Sequence, residues 1–137
     1  MFEGAAGFLN FFLSKTVARL QSQLATPMDG AMQHLTDQLK QFRDERDWAQ
    51  FHNPKDLALA LSIEANELLE AYLWKSSEQA DPAKVKEELA DVFAFALLLA
   101  DHYDFDVSEI VLDKMAQNAA KYPVAKAKGT AKKYTEL

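Results

Sequence analysis

The 137 residues suit one domain, and 49% hydrophobic content supplies enough apolar mass for a real core. A net charge of -6 argues against stable nucleic-acid binding, which needs basic surface to displace counterions. The absence of cysteine excludes a disulfide framework, a thiol nucleophile and Cys-based zinc or iron–sulfur centres, and fits a cytoplasmic protein.

Gly and Pro are scarce beside Ala, Leu, Glu, Lys and Gln, and no stretch alternates with a two-residue period, so the expected class is all-α. Residues 1–31 read as an N-terminal extension. Leu9, Leu13, Val17, Leu20 and Leu24 are helically spaced with Lys15 and Arg19 among few charges, which predicts a short amphipathic helix. Glu3 stands where a signal peptide would be basic, and the apolar run is too short for a bilayer. Neither a signal peptide nor a membrane span is therefore indicated. A packing helix, or upstream sequence read through to Met28 or Met32, explains the extension better than attachment to a membrane surface. Pro27 to Gly30 reads as a break.

Residues 32–123 read as an antiparallel four-helix bundle. The first helix is expected over 32–48 on Leu35, Leu39 and Phe42. Asn53-Pro54 pairs a good N-cap with proline at the first helical position, opening a second helix that runs to 75. Asp81-Pro82 repeats the signal for a third helix reaching 103, apolar on nearly all sides from Val92 to Ala100 and so the most buried. Asp106-Val107-Ser108-Glu109 resembles a capping box for a fourth, which Pro123 ends. The remaining 124–137 form a Lys-rich tail with Gly129, expected to be irregular. From Lys114 onward six lysines face one acid, Glu136, a balance that suits a polyphosphate partner as well as a solvated terminus.

Two carboxylate pairs, Glu64-x-x-Glu67 and Glu88-x-x-Asp91, lie in the second and third helices. Residues three apart share a helix face, so each pair offers two oxygen ligands. Glu pairs at this spacing are common on solvated faces, and their neighbours decide between the readings. Leu57, Leu61, Glu64, Leu68 and Ala71 follow one 3.6-residue stripe, so Glu64 occupies a hydrophobe's place and should be at least partly buried. In the third helix Val85, Leu89, Val92, Ala96 and Leu99 form one stripe and Glu88, Asp91, Phe95 and Leu98 another, which predicts apolar walls around Asp91. Buried carboxylates without cations or donors cost several kcal/mol, so such a bundle needs metal or Lys/Arg in return. Magnesium, which takes oxygen ligands and bridges carboxylates to substrate phosphates, is the expected ion.

Around this centre, Trp74 falls on the Glu64, Glu67, Ala71 row and is placed to wall a base pocket. Trp48, Phe51 and His52 sit at the turn between the first two helices, where they can close it from the other side. Aromatics at such spacing are more often core, and a lone histidine is commonly a capping or surface residue. Lys114, Asn118 and Lys121 share a face of the fourth helix and can grip phosphates, against the plainer reading of a solvated face. His34, His52 and His102 all lack a Glu three residues earlier, so the Glu-x-x-His motif of di-iron bundles is missing. There is no Gly-rich P-loop and no G-x-S-x-G elbow.

Together with Glu45-Arg46-Asp47-Trp48-Ala49-Gln50-Phe51-His52, Leu73-Trp74-Lys75, Lys114-Met115, Asn118, Lys121-Tyr122-Pro123 and Lys133-Tyr134-Thr135-Glu136-Leu137, the two acidic motifs resemble the MazG-like all-α nucleoside triphosphate pyrophosphatases, dCTP pyrophosphatase branch. The resemblance covers 35–137. It implies magnesium-dependent hydrolysis of a (deoxy)nucleoside triphosphate to monophosphate and pyrophosphate, with manganese as a substitute metal. It makes Glu64, Glu67, Glu88 and Asp91 the metal ligands, with Glu87 just outside them and Glu67 or Glu64 the group that handles the attacking water. Trp48, His52, Trp74 and Phe95 fall to the nucleotide pocket, and Lys114, Asn118, Lys121 and Tyr122 to its phosphate side. Phe95 stands where animal members of the branch carry Tyr, which bears on base preference and leaves the reaction untouched. Family members assemble as homodimers or homotetramers. Two rival classes are a non-catalytic helical interaction module, which would tolerate neutralisation of the four acids, and a di-metal carboxylate oxidase, which would require histidine ligands.

Overall fold

In the computed structural model, capping residues punctuate residues 28–137, the part of the chain that the structure describes. Helix α1 spans Met28–Asp44, α2 Pro54–Glu70, α3 Pro82–His102, α4 Val107–Lys121 and α5 Val124–Ala127, with 3-10 turns at Trp48–Phe51, Ser77–Gln79 and Tyr134–Glu136. Among the described residues there is no strand, as an all-α chain requires. None of these helices is long and apolar enough to cross a membrane. The chain divides into two units after Gln38, and the boundary falls within α1. In the first unit, Thr36 Oγ1 donates to the Met32 carbonyl at 3.0 Å, a bond local to the helix.

The expected helix starts are present in atomic detail. Asn53 Oδ1 accepts from the Asp56 amide at 3.0 Å, Asp81 Oδ1 from the Ala83 amide at 3.0 Å and Asp106 Oδ1 from the Glu109 amide at 2.9 Å. Each satisfies an amide that the first helical turn leaves without a carbonyl partner. Pro54 and Pro82 follow their caps, where a missing N–H costs nothing.

Helices α2 and α3 pack extensively on each other and carry most of the core of the second unit. Leu57 is 2% exposed and Leu97 3%, with Leu98 and Ala100 also buried on α3 and Ala71 just beyond α2. The stripe read from the sequence is realised: Leu57 and Ala71 are buried, and Leu61, Glu64 and Leu68 between them are half-buried. Lys40 Nζ donates to Asp101 Oδ1 at 2.9 Å, joining α1 to α3 across 61 residues of sequence. By contrast α4 keeps Ile110, Val111, Leu112 and Met115 all 44–60% exposed, and Phe93 of α3 is also bare.

Several expected boundaries moved. Helix α1 begins at Met28, so Gly30 lies inside a helix and the expected break does not extend to it; Pro27 and the predicted amphipathic helix on Leu9 to Leu24 lie outside the described residues. The same helix ends at Asp44, short of Trp48, because the chain turns through Asp47 in the left-handed region at φ 54° before the 3-10 turn. Asp tolerates that conformation better than most residues. Helix α2 stops at Glu70, and the 71–74 turn ends on Trp74 at φ 60°, a strained conformation for a bulky side chain. The tail is more ordered than its composition suggests: Lys121 Nζ lies 5.5 Å from the centre of the Tyr134 ring, and Tyr122 meets that ring edge-on at 6.0 Å.

Candidate metal centre

Packing of α2 on α3 brings Glu64, Glu67 and Glu88 together, and one carboxylate oxygen of each lies within 4.8 Å of the others. Glu64 and Glu67 come from adjacent turns of α2, one half-buried on the apolar stripe and the other exposed beside it. Glu88 comes from α3 and is 3% exposed, the one charged residue buried so fully among the described residues. Glu64 has its carboxyl pushed above the ordinary carboxylate value, first by burial and then by the charges of Glu67, Asp91 and Glu88, with Lys84 pulling the other way.

Asp91 departs from expectation. It was predicted to be walled by apolar positions, and it is exposed. Three residues past Glu88 the helix has turned by about 300°, so Asp91 sits to one side of the buried line. It lies outside the 4.8 Å set, though near enough for its charge to act on Glu64.

The structure treats the other candidates unequally. His52 and Phe95 meet edge-on with ring centres 6.2 Å apart, so two residues 43 positions apart form one aromatic corner. The Nδ1 atom of His52 is buried with no hydrogen-bond partner. Its imidazole pKa is lowered, first by burial and then by the Arg43 guanidinium. Trp48 is 45% exposed, edge-on to Phe42 at 5.9 Å, with Arg46 stacked on the same Phe42 ring at 3.6 Å. Trp74 does not continue the Glu64 and Glu67 row, because the helix has already ended; its ring is 95% exposed. Lys114, Asn118, Lys121 and Tyr122 are exposed on α4 and its end, and none of their charges figures among those that shift Glu64.

The residue missed in the sequence is Lys84. Its ammonium donates to Glu88 Oε1 from one helical turn earlier and lies 3.9 Å from Glu87 Oε2. The i,i+4 spacing of Lys84 and Glu88 was the available signal. Arg43, whose guanidinium acts on His52, carried no comparable signal because it reaches across the α1 to α2 connection.

Comparison with known proteins gives this geometry a family. Residues 59–137, which include both acidic motifs, match the MazG-like family. The chain belongs to that family. It is 41% identical over 105 residues to dCTP pyrophosphatase 1 of Mus musculus and 40% identical over 105 residues to the Homo sapiens protein of the same name. Each of these alignments takes in 71% of this chain and 62% of the relative, so the chain spans less than two thirds of the length of the curated relatives it matches. Among solved structures, a pyrophosphatase from Archaeoglobus fulgidus DSM 4304 superposes with a TM-score of 0.64 at 41% identity, covering 68% of this chain and 93% of that one.

The electrostatics of this MazG-like centre generate a test. Because the folded-state pKa of Glu64 is raised, its ionised form costs the folded state stability at neutral pH, and the cost vanishes once pH falls below the ordinary value of 4.5. In excess chelator, Glu64→Gln should raise Tm by a few degrees at pH 7, and the two melting curves should converge as pH approaches 4. A variant that melts below wild type at pH 7 would contradict this account.

Proposed function

We propose that the chain is a magnesium-dependent nucleoside triphosphate pyrophosphohydrolase. Its substrate is a (deoxy)nucleoside triphosphate, dCTP or a related dNTP, and its products are the monophosphate and pyrophosphate. Its service is removal of nucleotides from the cytoplasmic pool. The convergence of Glu64, Glu67 and Glu88 within 4.8 Å carries this reading, supported by the pyrophosphatase names of the relatives and of the archaeal structure.

The donor set fits a hard divalent cation. All three groups offer carboxylate oxygen, no sulfur or imidazole joins them among the described residues, and the repulsion of Glu67, Asp91 and Glu88 on Glu64 is the kind that a cation relieves. Glu64, Glu67 and Glu88 would hold the ion, Asp91 would complete the set from the exposed side, and manganese would substitute. When bound, magnesium supplies charge neutralisation of the triphosphate and a lowered pKa for a water molecule. We assign the orientation of the attacking water and the acceptance of its proton to exposed Glu67, with half-buried Glu64 sharing the role. The water adds at the α-phosphorus and pyrophosphate leaves.

The aromatic corner of His52 and Phe95, with Trp48 and Trp74, is assigned to the base. Lys114, Asn118, Lys121 and Tyr122 are assigned to the phosphates. The bare apolar side chains of α4, together with Phe93 and Leu69, support assembly as a homodimer or homotetramer, since surface of this kind rarely stays exposed.

Metal-stripped protein incubated with a panel of nucleoside triphosphates should turn over only after magnesium is added, releasing monophosphate and pyrophosphate. Full turnover in excess chelator, or single phosphate as the sole product, would contradict the proposal. A non-catalytic interaction module would show no turnover under either condition.

Trp74→Ala should raise KM by about tenfold to a hundredfold, the worth of roughly 1–3 kcal/mol of base stacking, while kcat changes little. Its Tm should stay at the wild-type value because the ring is 95% exposed. An unchanged KM for every nucleotide would remove Trp74 from the site.

A further inference from the structure

Glu88 is 3% exposed, and a carboxylate buried to that degree has exchanged its hydration for whatever the protein supplies. Here the protein supplies Lys84 Nζ, bonded to Glu88 Oε1 from four residues earlier on α3. The two side chains are unequal: that of Lys84 is 48% exposed and that of Glu88 only 4%. One partner is therefore fixed in the helix interface while the other sits on a flexible stem at its edge. Glu88 also belongs to the set whose oxygens lie within 4.8 Å, and the Lys84 charge acts on Glu64 and Glu67 as well, so one ammonium serves all three carboxylates.

We propose that Lys84 is a resident counter-cation of the carboxylate cluster, which holds Glu88 while no metal is bound and must release it for a divalent ion to enter. Lys84 thereby sets the metal affinity of the site. The inference rests on the metal-centre reading, and it concerns how the site is regulated. Metal entry includes breaking the Lys84 to Glu88 pair, so the apparent affinity is reduced by the stability of that pair. Removing the ammonium leaves Glu88 buried without a partner, which weakens the metal-free fold and strengthens the demand for an incoming cation.

The test compares Lys84→Gln with Lys86→Gln, which removes an equal charge from an exposed position two residues along the same helix. Manganese binding is measured by electron paramagnetic resonance, and melting is followed in excess chelator. Lys84→Gln should bind manganese roughly tenfold or more tighter than wild type and melt lower in chelator. Lys86→Gln should shift affinity by roughly twofold to threefold, as a screened charge at a distance does, with Tm unchanged. Lys84→Arg keeps a cation on Glu88 and should bind manganese no more tightly than wild type, which keeps the test decisive if Lys84→Gln does not fold.

Equal shifts in the two Gln variants would overturn the proposal in favour of bulk charge. A lower Tm for Lys84→Gln without tighter binding would make Lys84 a structural ion pair alone, and tighter binding by Lys84→Arg would also overturn the proposal. Absence of manganese binding in wild type and every variant would instead overturn the metal-centre reading, and this inference with it.

Discussion

Three carboxylates meet where α2 packs on α3, and the cost of holding them there governs how the rest of the site is built. Like unit charges about 4 Å apart repel by about 4 kcal/mol at the effective dielectric of ~20 that suits protein sites. Helix packing sets the separation: Leu57, Leu61, Leu68 and Ala71 turn one stripe of α2 inward, and Glu64 rides on that stripe. Glu88 is carried inward by α3 in the same way, beside Leu97, Leu98 and Ala100 further along. The apolar interface thus brings together groups that would otherwise separate in water. Lys84 offsets part of the cost from inside the chain, and a bound divalent cation would offset more.

The same division between a well-formed hub and open surroundings runs through the second unit. Apart from Ala71, just beyond α2, its deeply buried apolar residues belong to α2 and α3, whereas α4 leaves Ile110, Val111, Leu112 and Met115 uncovered. A MazG-like chain with that much bare apolar surface would gain stability by pairing with copies of itself, so the proposed oligomer belongs with the proposed catalysis. The phosphate-side assignments of Lys114 and Asn118 depend on it as well, because both lie on the open helix.

What could be read from the sequence was whatever depends on local chemistry. Asn53-Pro54, Asp81-Pro82 and Asp106 announce helix starts through side-chain caps that need no tertiary partner. Glu64 was legible as a buried acid because it interrupts a hydrophobic stripe with a period of 3.6 residues. The failures are equally physical. Trp74 looked like a continuation of the Glu64 row, but periodicity carries no marker for a helix that ends at Glu70 without glycine or proline, and the left-handed turn follows from context. Asp91 was placed among apolar neighbours because two overlapping stripes on α3 leave the inward direction ambiguous, and only packing against α2 decides in favour of Glu88. Lys84 stands four residues before Glu88, but that spacing is equally common on solvated helix faces, so it does not by itself mark a partner of a buried acid. The pairing of His52 with Phe95 joins residues 43 positions apart and has no local signature.

The central claim is that the α2 and α3 carboxylates hold the divalent cation that hydrolysis requires. Crystals grown with manganese and a non-hydrolysable nucleoside triphosphate, with data collected at the manganese absorption edge, test it most directly. The account predicts an anomalous peak ligated by Glu64, Glu67 and Glu88, with the triphosphate completing the coordination. Ordered nucleotide with no anomalous peak at these three side chains, or with the peak elsewhere, would contradict it.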